Sequence, residues 1–363
     1  MKIIIKVGTS TLTDKNGMLN KKYISKLAEK LSLLQKDKKY EIILVSSGAI
    51  GAGKGHLKLK SRPKTLREKQ ALAAIGQPLI MNAYGEAFAA YGVGVAQVLL
   101  TRDDFDNRTK YINARNTLCE LTDRGIIPVI NENDTVAVEE INFGDNDTLA
   151  ALVAAAVDAD TLVIFTDVDG LYEGSPSKGL LVTNVEKITG EIESFADGKS
   201  SSGKGTGGMK TKIIAAKIAT ASGADTIIAN GMKLDQIEDI ITHKGRCTVF
   251  AAKKCQMEAK KSWIAFSKRS KGNIFVDKKA AEALINKGKS LLAAGIVKAS
   301  GNFKRGDTVT VTDAETLSDF ARGLVNYDIA DVNKVKGRKT AEIKKIIEAD
   351  EDEIIHRNNL ALL

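Results

Sequence analysis

The chain has 363 residues, room for one large domain and a small one, and its 43% hydrophobic and 27% charged residues are those of an ordinary globular protein. No apolar run reaches the about eighteen residues of a membrane helix, and neither the three cysteines (Cys119, Cys247, Cys255) nor the three histidines (His56, His243, His356) form a disulfide framework or a zinc pattern. The formal net charge is +9, but residues 264–363 carry 18 Lys/Arg against 14 Asp/Glu, leaving +5 for the first 263, so the excess is a dispersed surface suited to anionic substrates rather than a nucleic-acid arm.

In chain order, "KIIIKV" (2–7) is too short for a signal-peptide core, has no small-residue cleavage site after it, and reads as a strand. Further strands are expected at "EIILVS" (41–46), "GVAQVLL" (94–100), "IIPVIN" (126–131), "TLVIFT" (161–166), "DTIIAN" (225–230) and "CTVF" (247–250). Helical patterns lie between them near 21–36, 64–91, 113–124, 146–158, 208–222 and 234–241. Strands apolar on both faces and separated by helices predict a mainly parallel sheet sandwiched by helices, an α/β fold. From about 251 the pattern changes to a lysine-rich connector, which is followed by "NIFVD", a helix at 278–287 and glycine-punctuated alternating segments. These predict a small β-rich domain of roughly ninety residues. The scattered cysteines suit reduced thiols in a cytoplasm.

Two glycine-rich stretches approach the P-loop spacing G-x-x-x-x-G-K-[ST] without meeting it. Counting from Gly203 in "SSGKGTGGMKTK", the second glycine falls at Gly208 but the lysine position holds Met209. In "GAIGAGKG", Gly48, Gly53 and Lys54 fit, yet the hydroxyl position is Gly55. Neither is a P-loop.

In an open parallel sheet, ligands bind at the carboxyl ends of the strands. There this chain places Lys6 with "GTST", "SSGAIGAG", "NENDTV", "GDNDT" at a helix head, "TDVDGLY" and "GTGGM". Singly, each has a structural explanation: a solvated strand end, a glycine turn, a helix N-cap, an Asp-Gly turn. Together they put glycines, two lysines and several acids on one sheet edge, which phosphoryl transfer explains. That chemistry is mostly positioning and charge neutralisation by lysines and Mg²⁺, with backbone amides around the phosphates. Lys6 and Lys212 could reach the transferring group from two sides, with Asp147 and neighbouring acids holding the lysines and the metal. The glycines of "GTGGM" let amides approach phosphate oxygens at the head of the next helix.

The set "KVGTS", "SSGAIGAG", "LLTRDDF", "NARNTL", "PVINEND", "GDNDTLAA", "TDVDGLY" and "GTGGMKTK", in this order, resembles the amino acid kinase family, over residues 1–255. Within the family the match is to the branch that phosphorylates glutamate, and "VINEND" followed by "FGDND" is its most specific pair. The tail around "GNFKRGDTV" looks like a PUA domain, which places a connector at 256–272 and that domain at 273–357. The resemblance implies ATP- and Mg²⁺-dependent phosphorylation of the L-glutamate side-chain carboxylate, giving L-glutamyl 5-phosphate, the first step of proline synthesis. It implies that Lys6 and Lys212 stabilise the migrating phosphoryl and that Asp147 orients them. Ser47, Gly48, Asp134 and Asn146 match the family's glutamate contacts, the acid of Asp134 suiting the substrate's ammonium. Lys6, Thr166, Asp167 and the run Thr206, Gly207, Gly208, Met209, Lys210, Thr211 and Lys212 match its nucleotide contacts, and no protein metal ligand is implied because Mg²⁺ is carried by the ATP phosphates. Proline as feedback inhibitor, a homo-oligomer and a cytoplasmic location follow by the same resemblance. The rivals are kinases of the same fold acting on aspartate, N-acetylglutamate, carbamate or UMP. An RNA-binding protein acting through the PUA domain is a further rival, disfavoured by the dispersed charge and the 5% aromatic content.

Overall fold

The computed structural model describes residues 1–14, 16–137, 146–177, 179–196, 208–252, 261, 263–267, 270–339, 342–343, 346–347 and 351–363. The chain divides into two compact units, Met1–Gln256 and Met257–Leu363.

The first unit begins β1 (Lys2–Val7), α1 (Thr9–Leu12), α2 (Lys21–Lys38), β2 (Glu41–Ser46), α3 (Ala49–His56), α4 (Leu66–Ala89) and β3 (Val95–Leu100). It continues with α5 (Arg102–Asp106), α6 (Arg108–Asp123), β4 (Ile127–Glu132), α7 (Asn146–Ala156) and β5 (Thr161–Thr166). After the short strands β6 (Tyr172–Glu173), β7 (Leu180–Leu181) and β8 (Asn184–Val185) come α8 (Gly190–Ser194), α9 (Met209–Ala221), β9 (Asp225–Asn230), α10 (Ile237–Ile241) and β10 (Cys247–Phe250).

Eight of these strands form one sheet in the order β3-β4-β2-β1-β5-β9-β10-β8. The central strands are β-branched runs covered on both faces: Ile3, Ile4, Ile5, Leu44, Val45, Val163 and Ile164 are fully buried. The chain builds outward from β1 through β2, and β5 then returns to the other side of β1, parallel to it. The reversal of strand order makes the carboxyl ends of β1 and β5 the crevice of the sheet. Lys6 sits there, paired in register with Val45 of β2 and Ile164 of β5.

The expected mainly parallel sheet is present, with two departures. β10 runs antiparallel to β9, to which residues 231–246 join it through α10. β3 is an edge strand and only half buried, not apolar-buried on both faces as its sequence predicts. "GAIGAGKG", read as a glycine turn, forms the helix α3. Its glycines serve close packing, since a Cβ at Gly53 would stand 2.0 Å from the Leu72 carbonyl oxygen of α4. The expected helix at 113–124 begins earlier, at Arg108, capped by the Asn107 side chain accepting from the Lys110 N–H. That at 234–241 is a 3₁₀ turn, Leu234–Gln236, followed by α10. α4 starts at a capping box in which the Thr65 and Glu68 side chains each accept from the other's backbone N–H, and it runs on through Pro78.

In the second unit, strands β11 (Gly272–Val276), β12 (Ile296–Gly301), β13 (Thr308–Asp313), β14 (Asp319–Leu324) and β15 (Leu360–Leu362) form a five-stranded sheet ordered β12-β11-β13-β14-β15. β15 lies beyond the expected limit of 357. The helix Lys278–Lys287 has the bounds its sequence predicts, capped by Asp277 and closed by Gly288 at φ 55°. Ile274, Phe303, Val309, Val311, Val332 and Ile355 fill the core of this unit. Among the described residues no helix is long and apolar enough to cross a membrane.

Candidate active site

The two lysines singled out by the sequence meet at one carboxylate. Lys6 is the last residue but one of β1, Lys212 lies in the first turn of α9, and Asp147 lies in the first turn of α7. Asp147 Oδ1 stands 2.7 Å from Lys6 Nζ, and its Oδ2 accepts from Lys212 Nζ at 2.9 Å. The Thr211 hydroxyl is also within reach of Oδ2, at 3.1 Å. All three charged groups are withdrawn from water: Asp147 is 0% exposed, Lys6 7% and Lys212 5%. Burial by itself would raise the Asp147 carboxyl, but the two lysines outweigh it and hold the group down at about 2. Two cations against one anion leave a net positive charge at the crevice, fixed before any ligand arrives. That is what a transferring phosphoryl group needs.

The second cluster lies on the β2 and β4 side. Asn146, the first residue of α7, donates from Nδ2 to Ser47 Oγ at 2.9 Å, to the Ser46 carbonyl at 3.2 Å and to Asn131 Oδ1 at 2.9 Å. Gly48 follows Ser47 with φ 102°, a left-handed conformation that glycine adopts freely, and caps α3. Asp134, past the end of β4, has no hydrogen-bond or ion-pair partner among the described residues, and burial pushes its carboxyl up to about 6.

On the β5 side, Thr166 donates to Asp167 at 3.1 Å. Gly208 is the N-cap of α9 in extended backbone, and a Cβ there would meet nothing within 4 Å among the described residues. Among the described residues nothing packs against that glycine, and its extended backbone is one that any residue adopts. Met209 is half-buried and Lys210 exposed. Thr206 and Gly207 lie outside the described residues, as do Gly144 and Asp145 of "FGDND" and residues 253–260 of the connector. Among the described residues no group of three or more His, Cys, Asp or Glu could hold a metal ion.

The geometry thus brings Lys6, Asp147, Thr211 and Lys212 together, and Ser47 with Asn146. It adds residues that carried no role in the sequence. Gln77 of α4 and Gln97 of β3 extend the amide cluster behind Asn131. Asp169, after β5, holds Lys233 at 2.8 Å and Arg246 at 2.7 Å, tying the "TDVDGLY" loop to the turn after β9 and to the residue ahead of β10. The signal available for the first pair was a polar amide inside an apolar run, in "AAIGQPLI" and "VAQVLL".

Residues 1–230 match the amino acid kinase family and residues 272–347 the PUA domain. The chain is 48% identical over 368 residues to the glutamate 5-kinase of Thermoanaerobacter sp. (strain X514), covering 100% of this chain and 98% of that protein. It is 49% identical, with the same coverage, to the glutamate 5-kinase of Caldanaerobacter subterraneus subsp. tengcongensis, and 46% identical to that of Moorella thermoacetica, covering 100% and 96%. Among solved structures, a UMP kinase from Ureaplasma parvum aligns with a TM-score of 0.48 at 15% identity, over 69% of this chain and 98% of that one.

Proposed function

The chain belongs to the amino acid kinase family, and we propose that it transfers the γ-phosphoryl group of ATP to the side-chain carboxylate of L-glutamate, giving L-glutamyl 5-phosphate for proline synthesis. The observation that carries the phosphotransfer is the buried Lys6–Asp147–Lys212 bridge at the crevice of the sheet. The identity of the acceptor is supported by full-length similarity to proteins named glutamate 5-kinase.

A carboxylate acceptor is already ionised at neutral pH, since a free glutamate side chain titrates near about 4.3. Its oxygen bonds to the γ-phosphorus, the bond from that phosphorus to the bridging oxygen breaks, and ADP leaves with the electron pair. No proton moves, so the site needs no general base. What it needs is positive charge around the equatorial oxygens and alignment of the two substrates. Lys6 and Lys212 supply the charge, and Asp147 holds both ammonium groups in place. Ser47, Gly48, Asp134 and Asn146 take glutamate; Lys6, Thr166, Asp167 and residues 206–212 take the nucleotide. Asp147 is occupied by its two lysines, so Mg²⁺ rides on the ATP phosphates. Residues 1–255 form the catalytic domain in this reading, joined by 256–272 to the PUA domain at 273–357. Proline, which keeps the α-ammonium and α-carboxylate, binds the glutamate subsite as an inhibitor, and the working form is a cytoplasmic homo-oligomer.

The test is a panel of acceptors with Mg²⁺ and ATP, the acyl phosphate being trapped by hydroxylamine. L-Glutamate gives the γ-hydroxamate; equal or faster turnover with aspartate, N-acetylglutamate or UMP overturns the assignment. The Asp134 carboxyl adds a pH dependence. Burial raises it to about 6, so it is ionised at pH 7 and becomes neutral as pH falls through about 6. A neutral Asp134 no longer attracts the substrate ammonium, and KM for glutamate is expected to rise as pH drops from 7 to 5 while KM for ATP stays flat. Asp134→Asn removes that rise. A parallel pH dependence of the two KM values would show that Asp134 does not face the amino acid.

A further inference from the structure

An amide side chain fits its site two ways round, and hydrogen bonds decide which. Asn131, 4% exposed at the end of β4, accepts the backbone N–H of Glu132 on its Oδ1 at 2.9 Å. A backbone N–H can only donate, so that atom is the oxygen. The Asn131 nitrogen therefore faces the other way, where it donates to Gln77 Oε1 at 2.9 Å. Gln77, itself 8% exposed, then presents its own nitrogen to Gln97 Oε1 at 3.1 Å on the edge strand β3. At the inner end the Asn131 oxygen accepts Asn146 Nδ2 at 2.9 Å, and the same nitrogen faces the Ser46 carbonyl, which can only accept. Every donor points one way along Asn146, Asn131, Gln77 and Gln97. Asn146 consequently keeps its nitrogen against the protein, and its Oδ1, which has no hydrogen-bond partner among the described residues, is the atom left for a ligand.

A carbonyl oxygen accepts from an ammonium and gives nothing to a substrate that lacks one. We infer that Gln77 is a positioning residue for acceptor selection: its buried oxygen holds Asn131, and through it Asn146, in the orientation that offers Oδ1 to the α-ammonium of the amino acid. The inference rests on the reading of Asn146 as a glutamate contact. Without an acceptor at position 77, the Asn131 nitrogen is stranded in a buried place. Turning the amide over is no remedy, because that sets its nitrogen against the Glu132 N–H. The side chain leaves the position, and Asn146 loses a partner that fixed its rotation.

The experiment compares L-glutamate as substrate with glutarate, which has the same two carboxylates and no ammonium, as competitive inhibitor. Gln77→Leu is expected to raise KM for glutamate about tenfold or more, the scale of one lost hydrogen bond to a charged group. The inhibition constant of glutarate and KM for ATP are expected to stay within about twofold, below the effect of one hydrogen bond. Gln77→Glu keeps the acceptor for Asn131, and Gln97, exposed on β3, can turn its amide to donate to the new carboxylate. It is expected to restore the glutamate KM to within about threefold of the wild type. An unchanged glutamate KM in Gln77→Leu, or equal weakening of glutamate, glutarate and ATP, overturns the proposal. If Gln77→Leu does not fold, Gln97→Lys sets a donor against the Gln77 nitrogen from the surface and is expected to shift the glutamate-to-glutarate ratio the same way; an unshifted ratio overturns the proposal equally. Wild-type protein that fails to phosphorylate glutamate overturns the functional reading, and this selection for its ammonium with it. Wild-type turnover with an indifferent relay overturns the relay alone.

Discussion

Lys212→Met is expected to lower kcat by about a hundredfold or more, the usual cost of removing one preorganised charge contact from a transition state. KM for either substrate is expected to change little, because charge on the migrating phosphoryl oxygens is redistributed most as the bond to ADP breaks. The substitution keeps the length and apolar stem of the lysine, and it removes a buried charge rather than stranding one. Asp147 retains Lys6 at 2.7 Å, so the fold is expected to tolerate the change. Lys6→Met is expected to match it, and the double variant to lose much less than the product of the two, because both lysines act on one group. Asp147→Asn differs in kind. It leaves two buried lysines, 7% and 5% exposed, facing a neutral amide, and is expected to destabilise the protein as well as inactivate it. The sign with pH follows. The Asp147 carboxyl lies near 2 when folded, below its unfolded value, so its contribution to stability is present above the ordinary carboxylate range and is lost as pH falls through about 2. Steady-state kinetics of the four variants, with a thermal melt of each, measure all of this. Mild effects on kcat from both lysine variants would reduce Lys6 and Lys212 to structural partners of the buried Asp147 carboxylate.

Five strands have the limits their sequences predict: 2–7, 41–46, 161–166, 225–230 and 247–250. They are short β-branched runs flanked by glycine, asparagine or charge, and both faces are buried, so side-chain pattern alone locates them. Strand direction is not written in that pattern, which is why β10 reads like its parallel neighbours although it runs against β9. The lysines and Asp147 were legible because phosphoryl transfer restricts residue type and the sheet edge restricts place. The amide relay was not, since Asn131 and Gln77 are 54 residues apart and meet only once α4 packs beside β4. Nor does sequence disclose that Asp134 is buried enough to hold its proton to about 6. The helix α3 is the plainest omission. Gly51, Gly53 and Gly55 each disfavour a helix by about 1 kcal/mol relative to alanine, so local preference argues against one there. Tertiary packing reverses that preference: a Cβ at Gly53 would stand 2.0 Å from the Leu72 carbonyl oxygen of α4, and one at Gly55 would stand 2.5 Å from the Gly17 backbone ahead of α2.

That closeness makes Gly76→Ala the most damaging small substitution expected in the large unit. A Cβ at Gly76 of α4 would stand 1.8 Å from the Ala49 carbonyl oxygen and 2.5 Å from the Gly53 nitrogen, both backbone atoms of α3. Backbone cannot swing aside as a flexible side chain does, so one methyl group has to drive the two helices apart. Overpacking of this kind costs roughly 3 kcal/mol, which for a domain of this size lowers Tm by about 6–12 °C. The functional loss is expected to exceed what stability alone predicts. α3 begins directly after Ser47 and Gly48, and Gln77 is the next residue after Gly76. Separating α3 from α4 therefore displaces the serine that Asn146 contacts and the amide that fixes Asn131 together. KM for glutamate is expected to rise in whatever fraction of the protein folds, with KM for ATP affected less, since Thr166 and Asp167 lie at the end of β5 and Gly208 caps α9. Gly85, in the same helix, is the control: a Cβ there meets nothing within 4 Å among the described residues. Gly85→Ala is expected to leave the kinetics alone and raise stability by about 0.4–1 kcal/mol, through the smaller entropy of the unfolded chain. Melting curves and glutamate KM values for the two alanine variants decide the matter. A Gly76→Ala protein as stable and as active as Gly85→Ala would mean that the α3–α4 crossing yields without cost, and that the glycines of "GAIGAGKG" are kept for some purpose other than packing.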